Sequence, residues 1–545
     1  MHLDLIIEAD RIHTLDPDRR QATRMGVVHG RISGFDEQLT GCSAARTETF
    51  TGATLVPGFN DAHCHTTWWG LSLQAVQLDT ARGLDDLYRM LEEEVHRLKD
   101  HPDAWIHGTG FNQKHHGGQF PDIDRLDEIT GDRPLYIRHT SGHASITNTH
   151  TLRIIGALEP DFQDPTGGAV VRRSNGSPTG LVEESAQSLL QGLLLPYAAE
   201  EIADALDAAT RRYAEKGITS FTEAGIGGGW IGHSPIEIAA YQLALRTGRL
   251  HARAQLMPAL DSLVELHGHQ QDFHGSGSGL GMHMGPTFGF GTDHVRLGHV
   301  KVFMDGSLLG ETAAVTETYC GHQHQTGYLL DSPEQYRERV HSVYRSGWPI
   351  ALHAIGDAAI DLALDLIEEC QETYGAHVVP NRIEHFGISR PEQIERAGRL
   401  GIAVTPQAGF LEPIGDQMSD RLGEERTPWL YRGRSLVEAG AVLAGSSDLP
   451  VADNDMLRGM QSAIDRRTES GAVIGPQESL TPEQALRSYT EWSARANGQL
   501  ADRGTLTVGK LADITVLSAD PLASDDLNDL DILATFVGGS CTYRR

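Results

Sequence analysis

Cysteine is scarce in this chain, and its few copies form no recognisable pattern. Five cysteines are spread over 545 residues, at positions Cys42, Cys64, Cys320, Cys370 and Cys541. The odd number and the lack of a C-x-x-C pair argue against a disulfide framework and against a thiolate zinc site. We therefore expect any bound metal ion to be held by nitrogen and oxygen ligands.

Long apolar runs are also missing from the sequence. No stretch of about eighteen apolar residues occurs, so we expect no membrane-spanning segment. The opening segment Met1–Glu8 has no basic stretch, long apolar run or small-residue cleavage site. This predicts a protein without a secretory signal, located in the cytoplasm.

Positive charge is in short supply. The chain has 45 Lys and Arg against 74 Asp and Glu, a net charge of −29, and no basic tract. The resulting field opposes binding to nucleic acid or to an anionic membrane, so a small-molecule substrate is the expected partner, and a homo-oligomer is left open. Lysine is the rarer cation, which makes Lys301 stand out inside the apolar run Val300–Phe303.

The sequence predicts an α/β protein with β-type segments at both ends and alternating strands and helices between them. Short β-type runs at both ends, in residues 1–55 and 495–545, are expected to pair into one small β domain. Residues 56–494 alternate apolar strands with helical stretches, as in a parallel α/β barrel, with a large insertion within roughly 68–298. The predicted core strands are Thr54–Val56, Pro134–Ile137, Ile218–Thr222, Val300–Met304, Ile350–His353, Asn381–His385, Ile402–Thr405 and Ala441–Ala444.

Histidines and one aspartate fall at the ends of these strands. His63 and His65 follow the first one, His353 and His385 end two later ones, and Asp448 follows the last. Side chains at the carboxyl ends of parallel strands converge in a barrel, and imidazole with carboxylate is a ligand set for a hydrolytic divalent metal. One histidine or one H-x-H pair would be weak evidence, but the joint pattern predicts a metal site.

Lys301 raises a separate question. A protonated ammonium inside an apolar strand is costly unless it is paired or neutralised. The alternative is a lysine at the strand end that faces solvent or pairs with Asp305.

These residues resemble the amidohydrolase superfamily, in the branch that includes N-substituted formamide deformylase, over nearly the whole chain. The matching segments are Leu55–His65, Lys301–Leu308, Leu352–Asp357, Arg382–His385, Ser447–Val451 and Gly504–Asp513. The resemblance implies a (β/α)8 TIM-type barrel beside a β-sandwich built from both termini.

The resemblance also implies a site with two divalent ions, expected to be Zn²⁺. One ion would be held by His63, His65 and Asp448, the second by His353 and His385, and a carboxylated Lys301 would bridge them. Carboxylation would also remove the cost of the buried ammonium. Such a site cleaves a C–N bond other than a peptide bond by attack of a metal-bound hydroxide, with Asp448 as the general base as well as a ligand.

Four further residues are candidates for substrate contact. Trp68 and Trp69 could line an apolar pocket or only pack the barrel mouth. His143 is included because a Gly-His pair occurs in the same branch. Asp305 could touch substrate or orient Lys301, or it could be a turn residue before glycine.

At two positions this sequence has a residue that differs from the one usual in this branch of the superfamily. Glu311 stands where an arginine is usual, which predicts a different substrate preference and disfavours a carboxylate-bearing substrate; Ser446 replaces a glycine. The alternative functions are a deaminase or cyclic-amide hydrolase on the same barrel, and a catalytically silent ligand-binding or regulatory relative. Lys301 favours the two-metal amide reaction over a deaminase or cyclic-amide hydrolase. The complete ligand set argues against a catalytically silent relative.

Overall fold

The structure is a computed structural model that describes residues 1–139, 144–165, 168–184, 186–228 and 231–545. It contains two compact units, one formed by residues 1–67 with 209–545 and the other by residues 68–208. No helix in these described ranges is both long enough and apolar enough to cross a bilayer.

The first unit begins with five strands and the start of a helix. They are β1 (His2–Asp16), β2 (Arg19–Val28), β3 (Arg31–Phe35), β4 (Ser43–Pro57), β5 (Phe59–Cys64) and α1 (Thr66–Leu73).

The second unit has a mixed six-stranded sheet in the order β10-β11-β9-β8-β7-β6. Its elements are β6 (Val76–Gln77), α2 (Leu84–Arg97), β7 (Ile106–Phe111), α3 (Ile123–Thr130), β8 (Leu135–His139), β9 (Ala144–Ile146), α4 (Thr149–Ile154), β10 (Gly168–Arg172), β11 (Pro178–Glu184), α5 (Gln187–Leu194) and the first part of α6 (Ala199–Glu215), which continues into the first unit. Leu87 and Leu91 of α2 pack with Ile106, Leu135 and Ile137 in its core. This unit lies inside the range 68–298 in which the sequence predicts an insertion.

The remainder of the first unit alternates strands and helices. Its strands are β12 (Ile218–Ile226), β13 (Arg253–Pro258), β14 (Val264–His267), β15 (Ser278–Gly281), β16 (Val295–Leu297), β17 (Val300–Phe303), β18 (Ile350–Ala354), β19 (Arg382–His385), β20 (Ala403–Thr405), β21 (Val442–Leu443), β22 (Ile514–Leu517), β23 (Ile532–Val537) and β24 (Ser540–Arg544). Its helices are α7 (Glu237–Arg246), α8 (Asp272–Gly275), α9 (Pro333–Arg345), α10 (Asp357–Tyr374), α11 (Pro391–Arg399), α12 (Leu411–Arg426), α13 (Gly433–Glu438), α14 (Met456–Asp465), α15 (Pro482–Ser488) and α16 (Glu491–Ala496).

Both chain ends contribute to one seven-stranded sheet, in the order β24-β23-β22-β4-β1-β2-β3. Strand β22 joins the two ends because it pairs antiparallel with the last residues of β4. Leu55, Ile514, Val516 and Phe536 are buried together in its core. Within the described residues this region forms a single sheet, where a sandwich is expected from the resemblance.

The other core strands are parallel and buried, which makes the protein α/β as predicted. They form a four-stranded sheet, β16-β13-β12-β5, and a five-stranded sheet, β17-β18-β19-β20-β21. The two sheets contact each other at two places. The amide of Ala62 in β5 donates to the carbonyl of Gly445, just after β21, at 3.2 Å. Ala259, just after β13, forms a parallel bridge with Lys301 of β17. The strands remain two separate sheets in the described chain, so a single closed barrel sheet is not found.

Two of the predicted core strands were wrong. Thr54–Val56 is the end of β4 in the terminal sheet, and the strand that carries His63 is β5, after the break at Gly58. Pro134–Ile137 corresponds to β8 of the second unit. A short apolar run looks the same in any buried sheet, so periodicity alone does not assign it to one sheet or another.

Candidate metal centre

The predicted histidines meet at the carboxyl ends of the parallel strands. His63 lies near the end of β5, His65 follows it, His353 lies in β18 and His385 ends β19. Their ring centroids are 5.4 Å apart for His63 and His65, 4.9 Å for His63 and His385, and 4.4 Å for His385 and His353. The fold therefore brings four imidazoles from three strands into one contiguous group.

Asp448 joins this group from the segment after β21. Its Oδ1 lies 3.2 Å from Nε2 of His65 and 3.5 Å from Nε2 of His63. The three residues are buried, and their ligand atoms lie within 4.8 Å of one another, close enough to share one metal ion. His353, His385 and Lys301 are adjacent but are not members of this three-residue group.

The site holds its donors in the form that binds metal. Burial, with the nearby Lys301, lowers the pKa of His63 to about 3, and burial also lowers the pKa values of His353 and His385. Burial alone would raise the pKa of Asp448, but the hydrogen bond from His65 and the neighbouring imidazoles hold it well below its usual range. Neutral imidazoles and an ionised carboxylate are the ligand forms of these side chains.

Lys301 is fully buried in β17, and its ammonium group has no hydrogen-bond partner in the described part of the chain. Its Nζ lies 4.7 Å from the centroid of the Phe303 ring. Burial lowers the pKa of Lys301 to about 8, against the opposing pull of Glu384 and Asp448. Asp305 forms no ion pair with Lys301 among the residues described. Buried polar groups are normally satisfied, so this buried nitrogen beside the imidazoles lacks the hydrogen bonds that would offset its burial.

Glu384 is a site residue that sequence reasoning did not single out. Its buried carboxylate accepts a hydrogen bond from Nδ1 of His63 and one from Thr405 Oγ1 at 2.8 Å. Arg382 donates to both of its oxygens at 2.8 Å. Burial would raise the pKa of Glu384, but Arg382 and His63 keep it well below its usual range. The ionised Glu384 therefore keeps the proton of His63 on Nδ1 and leaves Nε2 free to bind metal.

The signal for Glu384 was present in the sequence. Arg382 and Glu384 are two charged residues at alternate positions of a buried strand, and a buried strand excludes them unless they pair.

Gln407 orients His385 in the same manner. The amide oxygen of Gln407 accepts from Nδ1 of His385 at 2.7 Å, and its amide nitrogen donates to Thr405 O and Ser446 Oγ, each at 2.9 Å. Ser446, one of the two departures from the branch, is thereby part of the support for a predicted ligand. The geometry favours metal binding through the other nitrogen of His385.

Backbone strain is concentrated at the same place. Asp448, His385 and Phe386 have φ values of +57°, +68° and +49°, in the left-handed region that side-chain-bearing residues rarely adopt. The amide of Asp448 donates to the carbonyl of His63 at 2.8 Å, which helps to hold this conformation. Each such residue costs of order 1–3 kcal/mol, and residues of this kind cluster at functional sites.

Glu223, at the end of β12, supports the turn after His65. Its Oε2 accepts from the amides of Thr66 at 2.8 Å and Thr67 at 3.2 Å and from the hydroxyl of Tyr241 at 2.6 Å. Burial, with the nearby Glu237, raises the pKa of Glu223 to about 8. These contacts fix the first turn of α1 relative to the strand that bears the histidines.

The carboxylate of Asp305 is hydrogen-bonded to backbone amides. Its carboxylate accepts from the amides of Ala314, Ile355 and Gly356 at 2.9–3.1 Å, and Nε2 of His353 lies 3.4 Å from its Oδ1. This geometry suits a residue that positions His353, which leaves little of the carboxylate for a substrate.

The other substrate candidates stay predictions. Trp68 and Trp69 are half-buried on α1, and the guanidinium of Arg138 lies 4.6 Å from the ring of Trp68 within the second unit. His143 falls outside the described residues. Glu311, the anion that replaces a usual arginine, pairs with Arg421 at 2.8 Å and His322 at 2.9 Å.

The chain matches known hydrolases along its length. Residues 50–543 match the amidohydrolase family. YtcJ of Bacillus subtilis (strain 168), an amidohydrolase by name, is 29% identical over 97% of this chain and 97% of its own. The N-substituted formamide deformylase of Arthrobacter pascens is 28% identical over 99% of this chain and 98% of its own. The solved structure of an uncharacterized metal-dependent hydrolase from Pyrococcus horikoshii, 23% identical, shares the fold with a TM-score of 0.77 over 96% of this chain and 99% of that one.

Proposed function

The chain belongs to the amidohydrolase family of metal-dependent hydrolases, and from this premise we propose that it cleaves the C–N bond of an amide or formamide in a small molecule. The observation that carries the proposal is the buried group of His63, His65 and Asp448, with Lys301 unpartnered beside it. The similarity to a formamide deformylase over almost the full chain supports this bond class.

We propose that the parallel strands close into a (β/α)8 barrel within residues 56–494, with β16 and β17 acting as one interrupted strand. The hydrogen bond between Ala62 and Gly445 and the bridge between Ala259 and Lys301 support this closure. The terminal segments, 1–55 and 495–545, would form the accompanying β domain, whose described strands make one seven-stranded sheet.

We propose that the site holds two divalent ions and that the metal is Zn²⁺. His63, His65 and Asp448 would hold one ion, His353 and His385 would hold the second, and a carboxylated Lys301 would bridge them. A bound divalent metal supplies activated water and polarises a carbonyl oxygen.

The chain's own residues supply proton transfer and alignment. In the overall reaction the oxygen of water bonds to the carbonyl carbon, the C–N bond breaks, and one proton of water goes to the leaving nitrogen. The Asp448 carboxylate, 3.2 Å from Nε2 of His65, is the proposed carrier of that proton. Glu384 and Gln407 hold His63 and His385 in fixed tautomers while this occurs.

Replacing His65 with alanine tests the site. We expect His65→Ala to lose metal-dependent turnover on a panel of amides, formamides, esters and lactams while its circular dichroism spectrum matches that of the wild type. His267→Ala, which removes an exposed histidine of β14, is the matched control and should keep full activity. Wild-type turnover in His65→Ala would overturn the proposal.

Metal counting separates the alternatives. One ion per chain together with release of ammonia from an aminated heterocycle would identify a deaminase instead. Ligand binding without hydrolysis of any panel member by the metal-loaded protein would identify a silent relative.

A further inference from the structure

The segment Asp61–His65 places a carboxylate two residues before the first histidine of the candidate metal centre. Side chains at alternate positions of a strand point to the same face. Asp61 of β5 therefore lies on the same face as His63, one step closer to the start of the strand. Its side chain is completely buried, and it is not a member of the group that contains His63, His65 and Asp448.

Both carboxylate oxygens of Asp61 are hydrogen-bonded. Oδ1 accepts from the amide of Ser447 at 3.0 Å and from the amide of His63 at 3.3 Å. Oδ2 accepts from the hydroxyl of Ser447 at 2.5 Å. Burying a carboxyl group costs free energy unless hydrogen bonds compensate it, so packing alone would favour an apolar side chain here. The contribution of Asp61 therefore lies in these bonds, two of which go to Ser447.

Ser447 directly precedes Asp448, the carboxylate of the candidate metal centre. The hydroxyl of Ser447 accepts from the amide of Leu449 at 3.0 Å, so it bonds to the chain on the far side of Asp448 as well. The amide of His65 donates to the carbonyl of Leu449 at 2.8 Å. Asp448 itself has a φ of +57°, a costly conformation that persists only when the surrounding structure imposes it. These contacts hold the backbone on both sides of Asp448.

The side chain of Asp61 takes the place of a strand partner at this point. Strand β21 ends at Leu443, and the backbone contact between Ala62 and Gly445 is followed by a segment outside any strand. In the part of the chain that the structure describes, the amide of Ser447 bonds to the Asp61 carboxylate rather than to a backbone carbonyl. The position of Ser447 therefore depends on a side chain of β5.

We propose that Asp61 is a positioning residue of the metal site, which holds Asp448 in place through Ser447. The proposal rests on the proposed function, because it takes Asp448 as a metal ligand and proton carrier. Asp61 itself is not a ligand, since its oxygens are occupied by the two amides and the hydroxyl. Without these bonds the segment is free to relax its backbone and to carry the Asp448 carboxylate away from the imidazoles.

Metal affinity tests this role without any need for turnover. Each variant is titrated with Zn²⁺ in competition with a fluorescent chelator. We expect Asp61→Ala, which removes all three bonds, to bind Zn²⁺ about 10- to 100-fold more weakly. Ser447→Ala removes only the hydroxyl and should weaken binding several-fold. Asp61→Asn keeps an acceptor for both amides and should recover part of the affinity. Wild-type affinity in Asp61→Ala would overturn the proposal.

Asp513→Asn is the matched control, because it removes another buried carboxylate, one that bonds to Arg253 and to the amide of Gly538. It should lower the melting temperature and leave the Zn²⁺ affinity unchanged. An equal loss of affinity in Asp513→Asn and Asp61→Ala would show that affinity merely follows stability, which contradicts a positioning role. If Asp61→Ala does not fold, wild-type affinity in both Asp61→Asn and Ser447→Ala would contradict it equally.

Turnover separates this proposal from the proposed function. With Zn²⁺ saturating, Asp61→Ala should lower kcat for a formamide at least tenfold and leave KM nearly unchanged, because the proton carrier is displaced and substrate contacts are not. Weaker Zn²⁺ binding in Asp61→Ala, with no formamide or amide hydrolysed by the wild type, would support the positioning role and refute the proposed bond class. Hydrolysis by the wild type, with unchanged Zn²⁺ affinity and kcat in Asp61→Ala, would refute the positioning role and leave the proposed function standing.

Discussion

At the scale of single residues, Glu384 is the group on which the orientation of His63 depends. It is fully buried and hydrogen-bonded to His63, Arg382 and Thr405, so neither it nor His63 is free to rotate. Partners of this kind raise the basicity of a ligating histidine and fix its tautomer. Glu384 itself touches no substrate in this arrangement and acts through His63.

We predict that Glu384→Gln weakens metal binding about 10- to 100-fold, because the amide no longer selects one tautomer of His63. Competition with a fluorescent chelator measures the affinity. Glu438→Gln is the control, since Glu438 pairs with Arg434 on an exposed helix face and should leave the affinity unchanged. A role confined to folding would lower the melting temperature of Glu384→Gln without changing its metal affinity.

At the scale of elements, close helix contacts depend on glycine. Gly398 lies in α11, where an added Cβ would stand 1.9 Å from the carbonyl oxygen of Ala439. Gly192 lies in α5, and an added Cβ there would have nothing within 4 Å. Packing therefore requires glycine at position 398 but not at position 192.

We expect Gly398→Ala to lower the free energy of unfolding by about 1–3 kcal/mol, because the helix must shift away from Ala439. Gly192→Ala should raise it by about 0.5–1 kcal/mol, since alanine has the better helix propensity. Urea denaturation of both variants measures the difference. Similar effects of the two substitutions would show that the contact at Gly398 is not tight.

A buried ion pair links the terminal sheet to the parallel strands. Arg253 of β13 donates to Asp513 at 2.8 and 3.0 Å, and the amide of Gly538 donates to the same carboxylate at 2.8 Å. Burial alone would raise the pKa of Asp513, but Arg253 and Arg503 hold it below its usual range. The carboxylate is therefore charged in the folded protein at neutral pH.

We predict that Asp513→Asn lowers the free energy of unfolding by about 3–5 kcal/mol at pH 7, because Arg253 is left buried and unpaired. Since the folded pKa lies below the unfolded value of ~4, the contribution is present above that pH and is lost as the pH falls through the folded value. Urea denaturation at pH 7 and at lower pH should show the gap between wild type and variant closing. Asp531→Asn, on an exposed pair with Arg545, should change stability by less than about 0.5 kcal/mol.

At the scale of the whole molecule, the site joins strands that are far apart in the chain. β5, β18, β19 and the segment after β21 each supply ligand candidates, so a bound metal would tie together both parallel sheets. A ligand that binds only the folded state stabilises that state by mass action. Metal content should therefore be visible in the stability of the entire first unit.

We expect removal of metal by a chelator to lower the melting temperature, and restoration of the metal to recover it. With free metal at about 100 times its dissociation constant, the stabilisation is about 2.7 kcal/mol. Differential scanning calorimetry of the wild type and of His65→Ala provides the test, and the variant should respond less to the same metal. Equal responses would show that the stabilising metal binds elsewhere.

The sequence alone determined the α/β class of the fold and singled out the histidines and the aspartate that meet at the candidate site. A single imidazole or carboxylate after an apolar run is weak evidence, but its repetition at the ends of several strands made one group recognisable: His63, His65, His353, His385 and Asp448. It also singled out Lys301, because an ammonium inside a buried strand conflicts with its surroundings.

Only the tertiary structure decided which strands lie together and which partners orient the ligands. The local pattern of Thr54–Val56 and Pro134–Ile137 was correct for strands, but their sheets depend on pairing with distant segments. The alternation of Arg382 and Glu384 marks a buried pair, but the sequence does not show that Glu384 and Gln407 orient His63 and His385, because that effect is directional. A hydrogen bond depends on the relative position of two side chains, and that position exists only once separate strands have packed.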